Sequence, residues 1–139
     1  MLYEENHKDL FTVDESYHLA HCIASDLRMG AGIAVPMQNK FGIRGKIQNS
    51  GKEVQHPTCI LTDRVFNLIT KKRSSGKPTF TALTIALQKM KEIALNEGIE
   101  KIAMPKIGCG LDCLSWGEVR EKIKELFSDT DIDILVCIR

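Results

Sequence analysis

The chain has 139 residues, of which 43% are hydrophobic and 27% charged, and its formal net charge at pH 7 is +1. This length fits one domain with a full core, so we treat residues 1–139 as a single domain. The balance of 19 basic and 18 acidic residues gives no global electrostatic reason to expect nucleic acid or an anionic membrane as partner. The acidic start lacks a secretory signal, and no apolar run could span a bilayer.

The five cysteines have irregular spacing and form no C-x-x-C pair. They stand at Cys22, Cys59, Cys109, Cys113 and Cys137. This pattern is typical of reduced thiols in a cytoplasmic protein and not of a disulfide framework. Cys109 and Cys113 could form half of a metal site, but no second pair of ligands lies nearby in sequence. We therefore expect no metal and no cofactor.

The first half of the chain predicts a strand, a turn and two helices. The apolar run Tyr17–Ala24 indicates a buried strand, and a glycine-rich turn follows at Arg28–Gly32. A helix is expected from Ile33 to Lys40, where Pro36 costs little if it lies in the first turn. Residues 42–51 predict a second short helix and turn.

A hairpin and a long helix come next. Two apolar, β-branched runs, Thr58–Leu61 and Val65–Thr70, predict a hairpin whose loop has the three residues 62–64. Apolar residues at helical spacing over Thr79–Asn96 predict the clearest helix of the chain. Gly98 is expected to end it.

The last part of the chain repeats the alternation of strand and helix. Lys101–Met104 predicts a strand, and Ile107–Leu114 is a glycine-rich loop. Ser115 and Glu118 have the spacing of a capping box at the start of the last helix. Ile132–Ile138 predicts a final strand, and the whole pattern indicates an α/β sheet with helices on its faces.

Three predicted loops follow the carboxyl ends of strands, where ligands bind in open α/β sheets. These loops are 25–32, 71–77 and 105–114, and they meet at one edge if their strands are parallel. Gly30-Ala31-Gly32 and Gly108-Cys109-Gly110 each precede a predicted helix. Glycine loops at helix N-termini suit an anion, and two together would suit a diphosphate. Ordinary turns would give the same pattern.

The chemically reactive side chains of these loops are one amine and one carboxylate. Lys71, Lys72 and Arg73 form a basic triplet that could simply be solvated, but Lys71 directly follows a strand. Neighbouring strand side chains point to opposite faces, so Lys71 and Lys72 cannot both face one pocket. Asp112 either accepts loop hydrogen bonds or acts as general acid and base. His21, within an apolar strand, is more typical of a hydrogen-bonded core residue.

Several segments taken together closely resemble one family, the terminal ADP-ribose protein glycohydrolase branch of the macro domains. Asp9-Leu10-Phe11 and Trp116 also fit, and the resemblance covers nearly the whole chain. It implies a three-layer α/β/α macro domain with a mixed central sheet. The segments that carry it are Leu19–Ala24, Arg28–Val35, Leu68–Arg73, Lys77–Thr79 and Met104–Asp112.

The resemblance implies ADP-ribose as ligand and assigns a role to three residues. Asp9 would read the adenine amino group, Lys71 would attack the anomeric carbon of the distal ribose, and Asp112 would assist. Ala24 departs from the family, which often has a hydroxyl or an amide there. The remaining expected contacts to the ligand are Leu10, Ala24, Met29, Gly30, Gly32, Ile33, Ala34, Thr70, Pro105, Ile107, Gly108, Cys109, Gly110 and Leu111.

The expected activity is therefore hydrolysis of mono-ADP-ribose from acidic protein side chains. ADP-ribose on nucleic acid and O-acyl-ADP-ribose are further possible substrates. The expected partners are ADP-ribose and an ADP-ribosylated protein, and we expect a monomer. Two alternatives stay open: a module that binds ADP-ribose without turnover, and a phosphatase acting on ADP-ribose that bears a terminal phosphate.

Overall fold

A computed structural model describes residues 1–109 and 114–139 of the chain. They form six strands: β1 Tyr3–His7, β2 His18–Ala24, β3 Thr58–Thr62, β4 Val65–Lys71, β5 Lys101–Met104 and β6 Asp133–Ile138. They also form four α-helices: α1 Ala34–Phe41, α2 Ile43–Asn49, α3 Phe80–Glu97 and α4 Trp116–Phe127. A short 3₁₀ helix covers Leu10–Thr12.

The six strands form one mixed sheet in the order β1-β6-β5-β2-β4-β3. Every neighbouring pair is parallel except β3 and β4, which form an antiparallel hairpin at the edge. The carboxyl ends of β5, β2 and β4 are therefore adjacent. The strands that precede the three predicted loops are thus parallel, which confirms the condition under which these loops meet at one edge.

Helices cover both faces of the sheet, which gives the expected three layers. On one face, buried side chains of α3 and α4 such as Leu87 and Phe127 pack on the sheet. On the other, α1 and α2 supply Met37, Ile43 and Ile47. Each such side chain stabilises the fold by roughly 1.5–3 kcal/mol on burial. None of the described helices is long and apolar enough to cross a membrane.

Most predicted elements lie within one or two residues of their observed bounds. Thr79 caps α3 by accepting a hydrogen bond from the amide of Ala82, and Gly98 ends the helix in a left-handed conformation. Pro36 is the third residue of α1, in the first turn, where its missing N–H has no partner to lose. Pro36 thus lies in the first turn, the position for which a low cost was expected.

Two local expectations were wrong. Thr62 pairs with Val65, so the hairpin loop has two residues and not three. This tighter turn is possible because Asp63 adopts a left-handed φ of 53°, which a short polar side chain tolerates.

Ser115 precedes α4, but its side chain makes no capping hydrogen bond, so the expected capping box is not formed. The apolar face of α4 is buried against the core, and this packing holds the helix in place.

Candidate functional site

A cleft of about 430 Å³ opens at the carboxyl ends of β2, β4 and β5. The three loops that follow these strands form its walls. Ten of the residues predicted to contact a ligand or to react line this cleft. They are Ala24, Met29, Gly30, Gly32, Ile33, Ala34, Lys71, Pro105, Ile107 and Gly108.

A β-bulge next to the cleft positions Lys71. Ile23 of β2 pairs with Ile69 of β4, but the next residue, Ala24, pairs with Lys71, so Thr70 has no residue opposite it on β2. An extra residue of this kind bends a strand and redirects the side chain that follows it. The carbonyl of Lys71 accepts a hydrogen bond of 2.9 Å from the amide of Ser25, which fixes the strand end against the first loop.

The two neighbouring lysines lie on different sides of this strand end. Lys71 is partly buried and lines the cleft, whereas Lys72 and Arg73 are exposed and line a second depression beside it. The structure therefore agrees with the strand geometry, by which only one of the two lysines can face a given pocket.

The first loop, residues 25–32, is held by hydrogen bonds from outside it. Asp26 accepts bonds of 2.8 Å from both the amide and the hydroxyl of Ser74 in the loop after β4. The guanidinium of Arg44 donates to the carbonyls of Leu27 and Arg28 at 2.8 and 2.6 Å. The Ser74 amide beside Asp26 holds the pKa of that carboxyl below its usual range. The loop is thus tied to both α2 and the lysine-bearing strand.

Two residues of the same loop have unusual backbone angles. Leu27 and Met29 have φ values of 55° and 51°, in the region that disfavours side chains. Both side chains are buried in the core beneath α1 and α2, which offsets this cost. Gly30 and Gly32 follow in the chain and line the cleft just before α1 begins.

The start of α1 supplies amides for an anion. Its N-cap residue, Ile33, makes no side-chain hydrogen bond to the first turn. Ile33 and Ala34 both line the cleft. The first amides of a helix lack intrahelical partners and carry a partial positive charge. Here the amide of Val35 donates to the carbonyl of Gly32 at 3.2 Å and Pro36 has no N–H, so the amides of Ile33 and Ala34 are the ones that suit a phosphate group.

Gly108 forms the opposite wall and requires glycine for two reasons. Its φ is +74°, and a Cβ there would lie 2.9 Å from Leu114 Cδ1 and 3.2 Å from Leu83 Cδ2. Cys109 follows but does not line the cleft, and its thiol donates to the carbonyl of Ile107 at 3.3 Å. The predicted residues Gly110, Leu111 and Asp112 lie outside the described residues.

Three further predicted residues lie outside the cleft lining. Asp9 follows β1, at the same edge of the sheet but two strands from β5. One of its carboxylate oxygens accepts from the amide of Phe11 at 2.9 Å, and the other pairs with Arg139 at 3.2 Å. Leu10 and Thr70 are buried, at 4% and 1% exposure. The hydroxyl oxygen of Thr70 has no hydrogen-bond partner among the described residues.

Several cleft residues were not named from the sequence. The loop after β4 was predicted to reach the site, but only Lys71 received a role there, because a Ser/Gly stretch carries no specific chemical signal. Cys22 and Ala31 lie within recognised segments, and Lys106 lies between two predicted contacts. The residues added by the structure are Cys22, Ile23, Ala31, Ser74, Ser75, Gly76, Lys77 and Lys106.

Other polar groups near the site have structural partners. His21 is fully buried, and its Nε2 lies 2.6 Å from the carbonyl oxygen of the Asn67 side chain, as expected for a core histidine. Burial lowers the pKa of His21 to about 4. Among the described residues, no group of three or more histidine, cysteine, aspartate or glutamate side chains could hold a metal ion.

Comparison with known proteins identifies the family. No family model matches the sequence. The chain is 45% identical to human ADP-ribose glycohydrolase OARD1 over 130 residues, which cover 92% of this chain and 86% of the relative. The bovine protein of the same name is 44% identical over the same shares.

Solved structures show the same fold at low sequence identity. The macrodomain of Thermus aquaticus DarG has a TM-score of 0.84 and 19% identity, covering 98% of this chain and 97% of that one. For Thermosipho africanus DarTG in complex with ADP-ribose, the TM-score is 0.78 and the identity 18%, covering 94% of this chain and 40% of that one. The chain therefore belongs to the macro domains, in the branch that contains the OARD1 relatives.

Proposed function

We propose that this protein is a hydrolase that releases ADP-ribose from a modified acidic side chain of a protein, with Lys71 as the nucleophile. The observation that carries the proposal is the position of Lys71. A bulge in β4 brings this lysine into a cleft whose other walls are two glycine loops. Relatives at 44–45% identity that are named ADP-ribose glycohydrolases support a hydrolase acting on ADP-ribose.

The two glycine loops would bind the diphosphate of the ligand. Amides at the start of α1 and along 30–34 line one wall, and Gly108 lies in the other. Glycine allows the backbone to approach the phosphate oxygens closely, and the helix N-terminus adds partial positive charge. Holding the diphosphate places the distal ribose relative to Lys71, so binding energy is converted into alignment of the reacting atoms.

The proposed reaction has two steps. In the first, the neutral amine of Lys71 forms a bond to the anomeric carbon of the distal ribose. The bond from that carbon to the ester oxygen breaks, and the glutamate leaves as a carboxylate with the bonding electrons. Asp112 accepts the proton that the lysine nitrogen loses.

In the second step, water attacks the same carbon and the carbon–nitrogen bond breaks. The proton lost by the water goes to the lysine nitrogen, either directly or through Asp112. The products are ADP-ribose and the restored amine, and the proton that Asp112 took up in the first step passes to solvent, which completes the cycle. The role of Asp112 is proposed from the sequence, where it follows the Gly-Cys-Gly turn.

The position of Lys71 favours an enzyme over a module that only binds ADP-ribose. A binding module needs the cleft and its amides, but it has no use for an amine beside the distal ribose. The bulge at Thr70 also supports catalysis, because such irregularities are over-represented beside active sites.

Replacement of one side chain separates binding from turnover. We expect Lys71→Ala to keep the affinity for ADP-ribose within about twofold and to lower release from a glutamyl-ADP-ribose peptide by at least about 10³-fold. Lys89→Ala, on the exposed face of α3, is the matched control and should behave as wild type. Calorimetric titration and chromatography of released ADP-ribose measure the two effects.

A panel of linkages defines the substrate. Wild type should act on glutamyl-linked ADP-ribose, and seryl-linked and nucleic-acid-linked ADP-ribose serve as comparisons. Turnover by Lys71→Ala at the wild-type rate would contradict the assigned nucleophile. Tight binding of ADP-ribose without turnover of any linkage by wild type would show a binding module instead.

A further inference from the structure

A second depression lies beside the cleft, on the other side of the strand that carries Lys71. Its volume is about 510 Å³. It is formed by Ser25 and Asp26, by residues 54–56 ahead of β3, and by Lys72 and Arg73. The wall between cleft and depression is the backbone contact in which Ser25 donates to the carbonyls of Lys71 and Lys72, each at 2.9 Å. We call this feature the basic depression.

The side chains of the basic depression are predominantly donors of hydrogen bonds and positive charge. Lys72 and Arg73 are exposed, and His56 is half-buried beside them. Asp26 contributes the sole carboxylate of this lining, and its oxygens already accept hydrogen bonds from Ser74 and from the amide of Arg28. A partner that enters here therefore meets the positive charges of Lys72 and Arg73 and the single negative charge of Asp26, so these three side chains carry a net positive charge.

The basic depression starts one residue from the proposed nucleophile. Consecutive Cα atoms are about 3.8 Å apart, so Lys72 begins within that distance of Lys71. An extended peptide advances about 3.3 Å per residue. Because the two lysine side chains point to opposite sides of the strand end, a flank that leaves the cleft over the rim at Ser25 would reach Lys72 and Arg73 several residues away from the modified glutamate.

We propose that the basic depression binds the acidic segment that flanks the modified glutamate and so selects targets in acidic sequences. This inference rests on the proposed function, because it extends the same reaction to the part of the substrate outside ADP-ribose. Carboxylates of neighbouring Asp or Glu residues would pair with Lys72 and with the forked guanidinium of Arg73.

The composition of the basic depression favours a peptide over a nucleic acid strand. Proteins that bind single strands combine a long charged groove with aromatic side chains on which bases stack. None of the described residues that line the depression is Phe, Tyr or Trp, and the whole chain has a net charge of only +1. Two cations at one small concavity match a few carboxylates and not a run of phosphates.

Charge reversal tests the inference with two peptides. Both carry one ADP-ribosylated glutamate, flanked either by Asp and Glu or by Ser and Asn. We expect Lys72→Glu and Arg73→Glu each to lower kcat/KM for the acidic peptide by about tenfold, the effect of a lost and reversed ion pair. The neutral peptide and the affinity for ADP-ribose should stay unchanged. Lys89→Glu on α3 controls for overall charge.

Each other outcome would overturn the inference. Equal losses on both peptides would show that the substitutions disturb Lys71 or the fold and not recognition of the flank. Slower release from an ADP-ribosylated oligonucleotide, with the acidic peptide unaffected, would make the partner a nucleic acid. If wild type processes both peptides and the charge-reversal variants process the acidic peptide as fast as wild type does, the inference fails while the proposed function stands. If wild type processes neither peptide, both fail.

Discussion

Asp26 and Ser74 join two walls of the cleft although they are 48 residues apart in sequence. The carboxylate of Asp26 accepts from the amide and the hydroxyl of Ser74, both at 2.8 Å. One residue lies in the loop after β2 and the other in the loop after β4, and Ser74 also lines the cleft. The width of the cleft near Lys71 therefore depends on this clamp.

Loss of the clamp should weaken ligand binding more than stability. We expect Asp26→Ala to lower the affinity for ADP-ribose by about fivefold to tenfold, because both loops must then be ordered by the ligand itself. The midpoint of thermal unfolding should change little, since Asp26 is exposed. Titration calorimetry and thermal melts measure the two effects.

Asp14→Ala is the matched control for this prediction. The carboxylate of Asp14 also accepts a hydrogen bond of 2.8 Å from a serine amide, that of Ser16, but this bond is local and lies before β2, at the opposite edge of the sheet. Equal loss of affinity in both variants would show that the effect comes from general loosening and not from the clamp.

Two glycines of the cleft are expected to matter for different reasons, one for the backbone conformation and the other for the close approach of a ligand. Gly108→Ala should destabilise the protein by about 1–3 kcal/mol, because φ is +74° and a Cβ would press on Leu114 and Leu83. Gly30 lacks a left-handed φ, and a Cβ there would only touch Arg28 at 3.9 Å. We expect Gly30→Ala to keep its stability and lose about tenfold in affinity for ADP-ribose.

The control for these two glycine variants is a replacement of Gly45 in α2. Gly45 is exposed, and a Cβ there would meet nothing within 4 Å. Gly45→Ala should raise the free energy of unfolding by about 0.5–1 kcal/mol and leave affinity unchanged. If Gly30→Ala also binds ADP-ribose normally, the ligand does not approach the first glycine loop closely. Denaturant titrations and calorimetry measure these effects.

The sequence predicted the elements whose signals are local. The apolar period of α3 and its terminal Gly98 predicted that helix to within one residue of its observed bounds. β1 was not predicted because Tyr3–His7 is largely polar and has no alternating apolar pattern. This edge strand is held by contacts with distant residues, including a bidentate pair of hydrogen bonds that the guanidinium of Arg120 donates to the carboxylate of Glu5 at 2.6 and 3.0 Å.

The features that assemble the site depend on contacts between distant residues, so the sequence could name residues but not place them. The bulge at Thr70 exists only in register with β2, and nothing in the local sequence marks it. The Asp26–Ser74 clamp likewise requires the parallel pairing of β2 and β4. Strand geometry correctly predicted that Lys71 and Lys72 face different sides. It could not predict the depression beside Lys72, because residues 54–56 from another part of the chain also line it.

The buried pair His21 and Asn67 should make stability depend on pH. The side-chain amide of Asn67 donates to the carbonyl of Ile60 and the hydroxyl of Thr62, so its oxygen accepts from Nε2–H of His21. Nδ1 of His21 is then an acceptor, and it has no partner among the described residues. A proton added there would place an unpaired N–H and a charge in the core.

The direction of the pH effect follows from the lowered pKa of His21. Burial moves this pKa from 6.5 in the unfolded chain to about 4 in the folded protein. Between these values the unfolded state binds more protons, so the free energy of unfolding should fall as pH drops from about 6.5 to about 4. The loss from this group is at most about 3 kcal/mol. Urea titrations across this range measure it.

Removing both partners should abolish this part of the pH dependence. The double variant His21→Leu, Asn67→Leu removes both titratable and polar partners, and it takes one donor from the carbonyl of Ile60 and one from the hydroxyl of Thr62. It should therefore fold with a lower free energy of unfolding and show a flatter profile between pH 6.5 and 4. His18, whose pKa is also lowered by burial and then by Arg64, remains in both proteins and cancels in the comparison. His7→Gln, at an exposed position, should keep the wild-type profile. An unchanged slope in the double variant would mean that His21 is already protonated in the core or titrates equally in both states, against the burial seen here.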